Sequence, residues 1–181
     1  MDAAHFTWAA FLGYLWCFLR IWKASPSGRQ RFNVLGVLNA VTKEVITVCN
    51  TTYINSWSVI EILFKLRKRM LASGLPISIV LDNAGYQACY LVRGTACLMG
   101  IDLLFLPPYS PNLNLIERLW KYVKQNCIAN RTYDTFEEFC RAVQESVEQA
   151  HKKDPEKMAS LLTWNFQIFS KPQSQAIRMA A

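Results

Sequence analysis

The sequence predicts an α/β fold, a mixed sheet flanked by helices, from three observations. Short β-branched runs occur early, at Phe32 to Val41 and Glu44 to Cys49. Later the chain alternates strand, helix, strand, helix, with Gly and Pro marking the joints. Hydrophobic residues make up 52% of 181 residues, enough for a single domain with a real core.

The elements follow in order. Asp2 to Trp8 alternates as a strand, with Asp2, Ala4 and Phe6 on one face and Ala3, His5 and Thr7 on the other. His5 therefore points away from Asp2 and reads as a packing or hydrogen-bonding residue. Ser25-Pro-Ser-Gly28 is a turn cluster. The two early strands would form a hairpin through Thr42-Lys43, although that link lacks Asn-Gly chemistry. Asn55 or Ser56 caps a helix running to Ser73, which Gly74 ends and Pro76 keeps from restarting. Ile77 to Leu81 is a strand, Tyr86 to Met99 a helix stopped by Gly100, and Ile101 to Leu106 the next strand. Successive strand–helix units predict parallel pairing through a right-handed crossover.

Pro107, Pro108 and Pro111 impose a stiff loop. Beyond it, Ile116, Leu119, Trp120 and Val123 recur at helical spacing from Leu113 to about Cys127. Thr135 caps a helix carrying Phe136, Phe139, Val143 and Val147, and Asp154-Pro155 opens a last short one. The domain is expected over 1–170, with 171–181 as a tail.

Composition narrows the function classes. A net charge of +7 and a pI near 9.2 favour a polyanionic partner, most simply nucleic acid. Six cysteines without a C-x-x-C pair, and only two histidines, argue against zinc and against a disulfide framework. Buried free thiols in a reducing cytoplasm are expected. Ala3 to Leu19 lacks charged residues, which raises a membrane alternative. The run is short for a span of about 20 residues, and Asp2 replaces the positive start of a signal peptide. No membrane association is expected.

Three acids carry the chemistry. Asp82 closes the Ile77–Leu81 strand, at the kind of strand end where open α/β sheets place their sites. Asp-Asn-Ala-Gly is equally good turn and N-cap chemistry. Glu117 lies just inside the helix after the prolines, with 34 residues between it and Asp82. Asn114-x-x-Glu117 also has capping-box spacing. Asp2 is either a third ligand or a solvated terminal residue. Three carboxylates that meet would raise one another's pKa values, and magnesium, an oxygen-seeking ion, would relieve the conflict. A two-ion site stabilises both the attacking and the leaving oxygen of a phosphoryl displacement. Arg29, Arg31, Lys121 and Lys124 could meet phosphates. Lys65, Arg67, Lys68 and Arg69 read first as a solvated helix face and second as a DNA contact.

LDNAGYQ, followed by GIDLLFLPPYSPNLNLIERLWKYVK, resembles the catalytic core of bacterial insertion-sequence transposases of the mariner-like superfamily. MDAAHF, SGRQRFNVLG and LLTWNFQIF resemble the same family in the same order, so the likeness covers nearly the whole chain. It implies a ribonuclease H-like fold with a DDE site at Asp2, Asp82 and Glu117, which hold Mg2+ or Mn2+. Asn83 and Asn112 fall in the family's motifs as supporting residues. Cleavage at transposon terminal inverted repeats is implied, with water as the first nucleophile. The freed 3′-hydroxyl then attacks target DNA at a TA dinucleotide. Double-stranded DNA, a homodimer in the active complex and a cytoplasmic, nucleoid-associated location follow from the same likeness. The family's helix-turn-helix modules have no counterpart here, and Asp2 falls where the central strand would already be half complete. The chain therefore reads as a truncated copy with a truncated first strand, and an inactive DNA-binding or transposase-binding remnant is the alternative. Where the family often has a basic residue after Asn83-Ala84, this chain has Gly85.

Overall fold

The computed structural model describes residues 1–8, 18, 30–108, 110–129 and 131–166. The expectations for Arg29, the Ser25–Gly28 turn, most of the uncharged N-terminal run and the tail lie outside these residues. Among the described residues, no helix is long and apolar enough to cross a membrane.

Strands β1 (Asp2–Thr7), β2 (Arg31–Leu38) and β3 (Val45–Asn50) form an antiparallel ladder in that order. Asp2 pairs with Gly36 and Thr7 with Arg31. The expected β1 faces are present: Asp2, Ala4 and Phe6 are buried, and His5 and Thr7 are exposed. His5 Nδ1 lies 2.7 Å from Asn33 Oδ1, a hydrogen-bonding contact on the face away from Asp2.

The β2–β3 link is longer than Thr42-Lys43. It spans Asn39 to Glu44, because the Asn39 side chain draws the backbone into a turn. Its Oδ1 accepts from the N–H groups of Val41 (2.8 Å) and Thr42 (3.0 Å). Lys43 then adopts a φ of 62°, and its ammonium holds the turn to the Leu162 carbonyl at 2.9 Å. An Asx-type side-chain turn replaces the tight hairpin.

Helix α1 (Ser56–Met70) starts at Asn55 in a capping box with Ser58. Gly74, at φ 62°, ends the 3-10 turn that follows, as its sequence position predicts. Strands β4 (Ile77–Leu81) and β5 (Ile101–Phe105) pair in parallel. The helix between them is not continuous. Cys89 is extended at ψ 156°, splitting it into α2 (Gly85–Ala88) and α3 (Tyr90–Leu98). Arg93 stabilises the break by donating from Nε to the Ala88 carbonyl at 2.9 Å. Apolar periodicity carries no signal for such a side-chain cap.

Helix α4 (Leu115–Val123) passes into an i→i+5 turn, Lys124–Ile128, rather than continuing as one α-helix to Cys127. The wider turn lets the neighbours Cys127 and Ile128 both stay buried. Helices α5 (Phe136–Lys153), capped by Thr135, and α6 (Pro155–Leu161) complete the chain as described.

Helices cover both faces of the strands. Ala4, Phe6, Phe32 and Val34 pack against α4, α5 and α6. Leu35, Val37, Val48, Ile77 and Ile79 pack against α1 and α3. The two ladders meet at Met1, whose ammonium donates to the Val80 carbonyl at 2.6 Å. Beside that junction, Met1, Val37, Leu38, Ile77, Ile79 and Leu113 help line a cavity of about 440 Å³ that includes none of the three acids. Free thiols are present as expected among the described cysteines, but only Cys127 is buried; Cys97 is exposed.

Candidate active site

Asp2 is fixed from the opposite side of the core. It is 8% exposed, and Trp120 donates its indole N–H to Oδ2 at 2.9 Å. This contact depends on Gly36, the partner of Asp2 across the ladder. A Cβ at Gly36 would stand 2.8 Å from Trp120 Cη2 and 3.0 Å from Ile116 Cδ1. Glycine inside a strand is the sequence mark of such a close approach. It lets the indole lie against the sheet and reach the carboxylate.

Asp82 follows β4 directly. Its turn-and-cap alternative is not realised: α2 has Ala84 as its N-cap residue and no side-chain cap bond. Instead Asp82 Oδ1 is buried without a hydrogen-bond donor. The neighbouring Asn83 donates from Nδ2 to the Leu106 carbonyl at 2.6 Å. With the Leu106 N–H bonded to the Leu81 carbonyl at 2.8 Å, it ties the loops leaving β4 and β5 together.

Glu117 occupies the first turn of α4, half-buried. The capping box is absent there too, since Asn114 makes no side-chain cap bond. The Asn114 amide is buried and donates to the Met1 carbonyl at 3.4 Å, which joins the start of α4 to the start of β1. The next residue, Arg118, donates to the carbonyls of Leu161, Thr163 and Asn165 at 3.2, 3.0 and 2.9 Å. That guanidinium fastens the segment after α6 onto α4.

The acids sense one another. Burial pushes Asp2 up to about 6, and the charges of Glu117 and Asp82 push in the same direction, against hydrogen bonds from the Ala3 N–H and Trp120. Burial lowers the Met1 amine to about 6, opposed by the charges of Asp2 and Asp82. Tyr86 is raised chiefly by burial, against a hydrogen bond with Gln87, and the charges of Asp82 and Asp2 add to the rise. Met1, Asp2 and Tyr86 thus respond to neighbouring carboxylates, Asp82 in all three cases and Glu117 at Asp2.

These residues suit a divalent cation in two respects. All the donors are oxygens, and an orphaned buried carboxylate oxygen beside mutually repelling acids is the condition a bound cation relieves. Among the described residues, no group of three or more His, Cys, Asp or Glu side chains is drawn close enough to hold a metal. The acids are neighbours without forming a closed ligand set.

The other expected residues divide. Lys121 and Lys124 are exposed, one and two turns beyond Glu117. Arg31 is exposed at the far end of β2 from Gly36, five residues or about 17 Å along the strand, and is not brought to the acids. Asn112 lies in the 3-10 turn Pro111–Leu113, just before α4. Sequence reasoning missed Trp120 as an Asp2 ligand, Tyr86, Gly36, Asn114 and Arg118. Gly36 inside an apolar strand and Tyr86 four residues after Asp82 were the available signals.

A family model described as DDE superfamily endonuclease matches residues 20–140. An uncharacterized protein, y4pE/y4sA, of Sinorhizobium fredii is 30% identical over 88 residues, 46% of this chain and 63% of its own length. In the Mos1 mariner paired-end complex with Mn, the transposase superposes with a TM-score of 0.59 at 14% identity, over 92% of this chain and 55% of that one. The catalytic domain of Mos1 alone superposes with a TM-score of 0.52 at 14% identity, over 75% and 76%. The chain spans little more than half the length of the Mos1 chain in that complex. These likenesses show a ribonuclease H-like catalytic-core fold. With Asp82 and Glu117 both inside the matched residues, the chain belongs to the DDE superfamily endonuclease family.

Proposed function

We propose that this chain performs divalent-metal-dependent phosphodiester chemistry on double-stranded DNA: strand cleavage at transposon terminal inverted repeats, then strand transfer to target DNA. The observation that carries this reading is the buried, partnerless Asp82 Oδ1, together with the Glu117 and Asp82 charges that add to the raised carboxyl of Asp2. Asp2, Asp82 and Glu117, neighbours rather than a closed ligand set, are the residues that would hold Mg2+ or Mn2+. When bound, such ions supply Lewis acidity and a hydroxide-like nucleophile at neutral pH. The Mos1 mariner paired-end complex with Mn supports this choice of ion.

The chain's own residues then have distinct tasks. Trp120 orients Asp2 through one indole hydrogen bond, and Asn83 steadies the Asp82 loop against the loop after β5. Asn114 and Arg118 hold α4, and with it Glu117, to the start of β1 and to residues 161–165. Tyr86 adds a phenol beside the acids. Lys121 and Lys124 extend the same helix as exposed cations for the DNA backbone. Arg29 keeps the phosphate-contacting role its sequence position suggests, and Asn112 the supporting role that the family likeness gives it.

The test is cleavage of terminal-repeat DNA with Mg2+ or Mn2+. Asp82→Asn and Glu117→Gln should each reduce strand cleavage by more than the roughly 10–100-fold typical of outer-shell changes, with the fold retained by circular dichroism. A second reading has its own support in the open spacing of the acids: a non-catalytic domain that binds DNA or a full-length transposase. DNA binding with no cleavage, indifferent to both substitutions, would establish that reading instead.

A further inference from the structure

The cavity beside the junction of the two ladders has strand edges for walls. Next to it the gap is one strand wide, because β1 fills it: Asp2 pairs with Gly36 on β2, and the Met1 ammonium bonds the Val80 carbonyl on β4. Past Met1 both walls run on in the same direction, β2 through Val37 and Leu38, and β4 back from Val80 to Ile77. These residues line the cavity of about 440 Å³.

Their main-chain groups face into it. Alternate residues of a strand turn their N–H and C=O toward opposite neighbours. The Asn39 N–H bonds the Glu44 carbonyl at 2.8 Å, toward β3, so Leu38 turns both its groups to the cavity. The Leu81 carbonyl accepts from the Leu106 N–H at 2.8 Å, toward β5, so Ser78 and Val80 face the cavity too. Met1 takes the Val80 carbonyl, but no described residue pairs on that side with the Val80 N–H, with Ser78 or with Leu38. Two open edges facing each other across one strand's width are built to pair with a strand. The space for side chains alternates in the same way. Ala4 and Phe6 pack toward α4, and Met1 packs toward α1. A residue seated next to Met1 would therefore project toward Leu113, Leu115 and Trp164, and the one before it toward Leu66 and Met70. Every one of these neighbours is apolar, and Val80 and Trp164 are still 39% and 63% exposed.

We propose that this groove is an acceptor for an extended apolar segment of a partner polypeptide, seated antiparallel to β2 and parallel to β4 with its last residue against Met1. Occupied, the groove joins the two ladders into one continuous sheet beside Asp2. The inference concerns docking and stands whether or not the chain is catalytic. The probe is a six-residue peptide of alternating valine and isoleucine, amidated at its end and carrying a labelled lysine pair at its start. Titrated with the full chain and followed by fluorescence anisotropy, it should bind saturably at one to one. N-methylation of its last residue removes the N–H that would donate to the Leu38 carbonyl, and should weaken binding by about tenfold or more. Hydrogen exchange should slow at the Leu38 and Val80 amides when the peptide is bound, and stay unchanged along the outer edge of β5. No binding at hundreds of micromolar would overturn the inference. So would equal affinity for the N-methylated peptide, or Leu38 and Val80 amides left unprotected, since either marks an apolar cavity that takes no strand.

Discussion

Asp2 binds a proton more tightly in the folded chain than in the unfolded one, since its pKa rises from 3.8 to about 6. Below about pH 3 both states carry the proton, and the group leaves stability unchanged. As pH climbs from 4 to 6 the unfolded chain ionises first, and the native state loses stability on the order of 3 kcal/mol, complete above pH 6. Asp2→Asn removes that loss. Thermal melts without divalent metal should therefore show the variant more stable than the parent at pH 7.5, with the gap closing by pH 4. Equal melting temperatures at both pH values would contradict the buried, acid-facing position of Asp2. Trp120→Phe works in the other direction. It removes the indole donor and should cost about 1–3 kcal/mol at neutral pH, read from urea denaturation.

At the scale of elements, the β1–β2 ladder and α4 approach so closely that one missing methyl group matters. Gly36→Ala puts its Cβ into Trp120 and Ile116, and the rings must shift. About 1–3 kcal/mol of destabilisation is expected, together with a red-shifted tryptophan emission as the indole leaves its site. An unchanged spectrum and stability would show that α4 stands further from the sheet. Element boundaries were legible where a glycine stop or an N-cap residue sets them. Gly74 and Gly100 stop their helices at φ 62°, and Asn55 and Thr135 start theirs by accepting N–H bonds. They were missed at the Asn39 turn between β2 and β3 and at the Arg93 bond across the α2–α3 break, which apolar periodicity does not mark. A polar residue's choice of partner depends on what the fold brings near it.

Across the whole molecule, the acids come from β1, the end of β4 and α4, so a bound divalent ion would join both strand ladders to the second helical layer. Binding to the native state alone should raise stability by about 2.7 kcal/mol when the ion is at a hundred times its dissociation constant. Millimolar Mn2+ should therefore raise the melting temperature of the parent, and the rise should vanish in Asp82→Asn. No shift in the parent would favour the non-catalytic reading.

The sequence by itself determined the strand and helix order, the parallel β4–β5 pairing, the two faces of β1 and the candidacy of Asp2, Asp82 and Glu117. Each follows from local chemistry: apolar period, turn residues and an acid next to a recognisable element. Only the tertiary structure decided that the capping alternatives for Asp82 and Glu117 fail, that Trp120 through Gly36 is what holds Asp2, and that Arg31 stands about 17 Å along β2 from Gly36. Those facts turn on distances between segments far apart in the chain. Spacing along a sequence fixes which face a side chain takes, and packing alone fixes what that face meets.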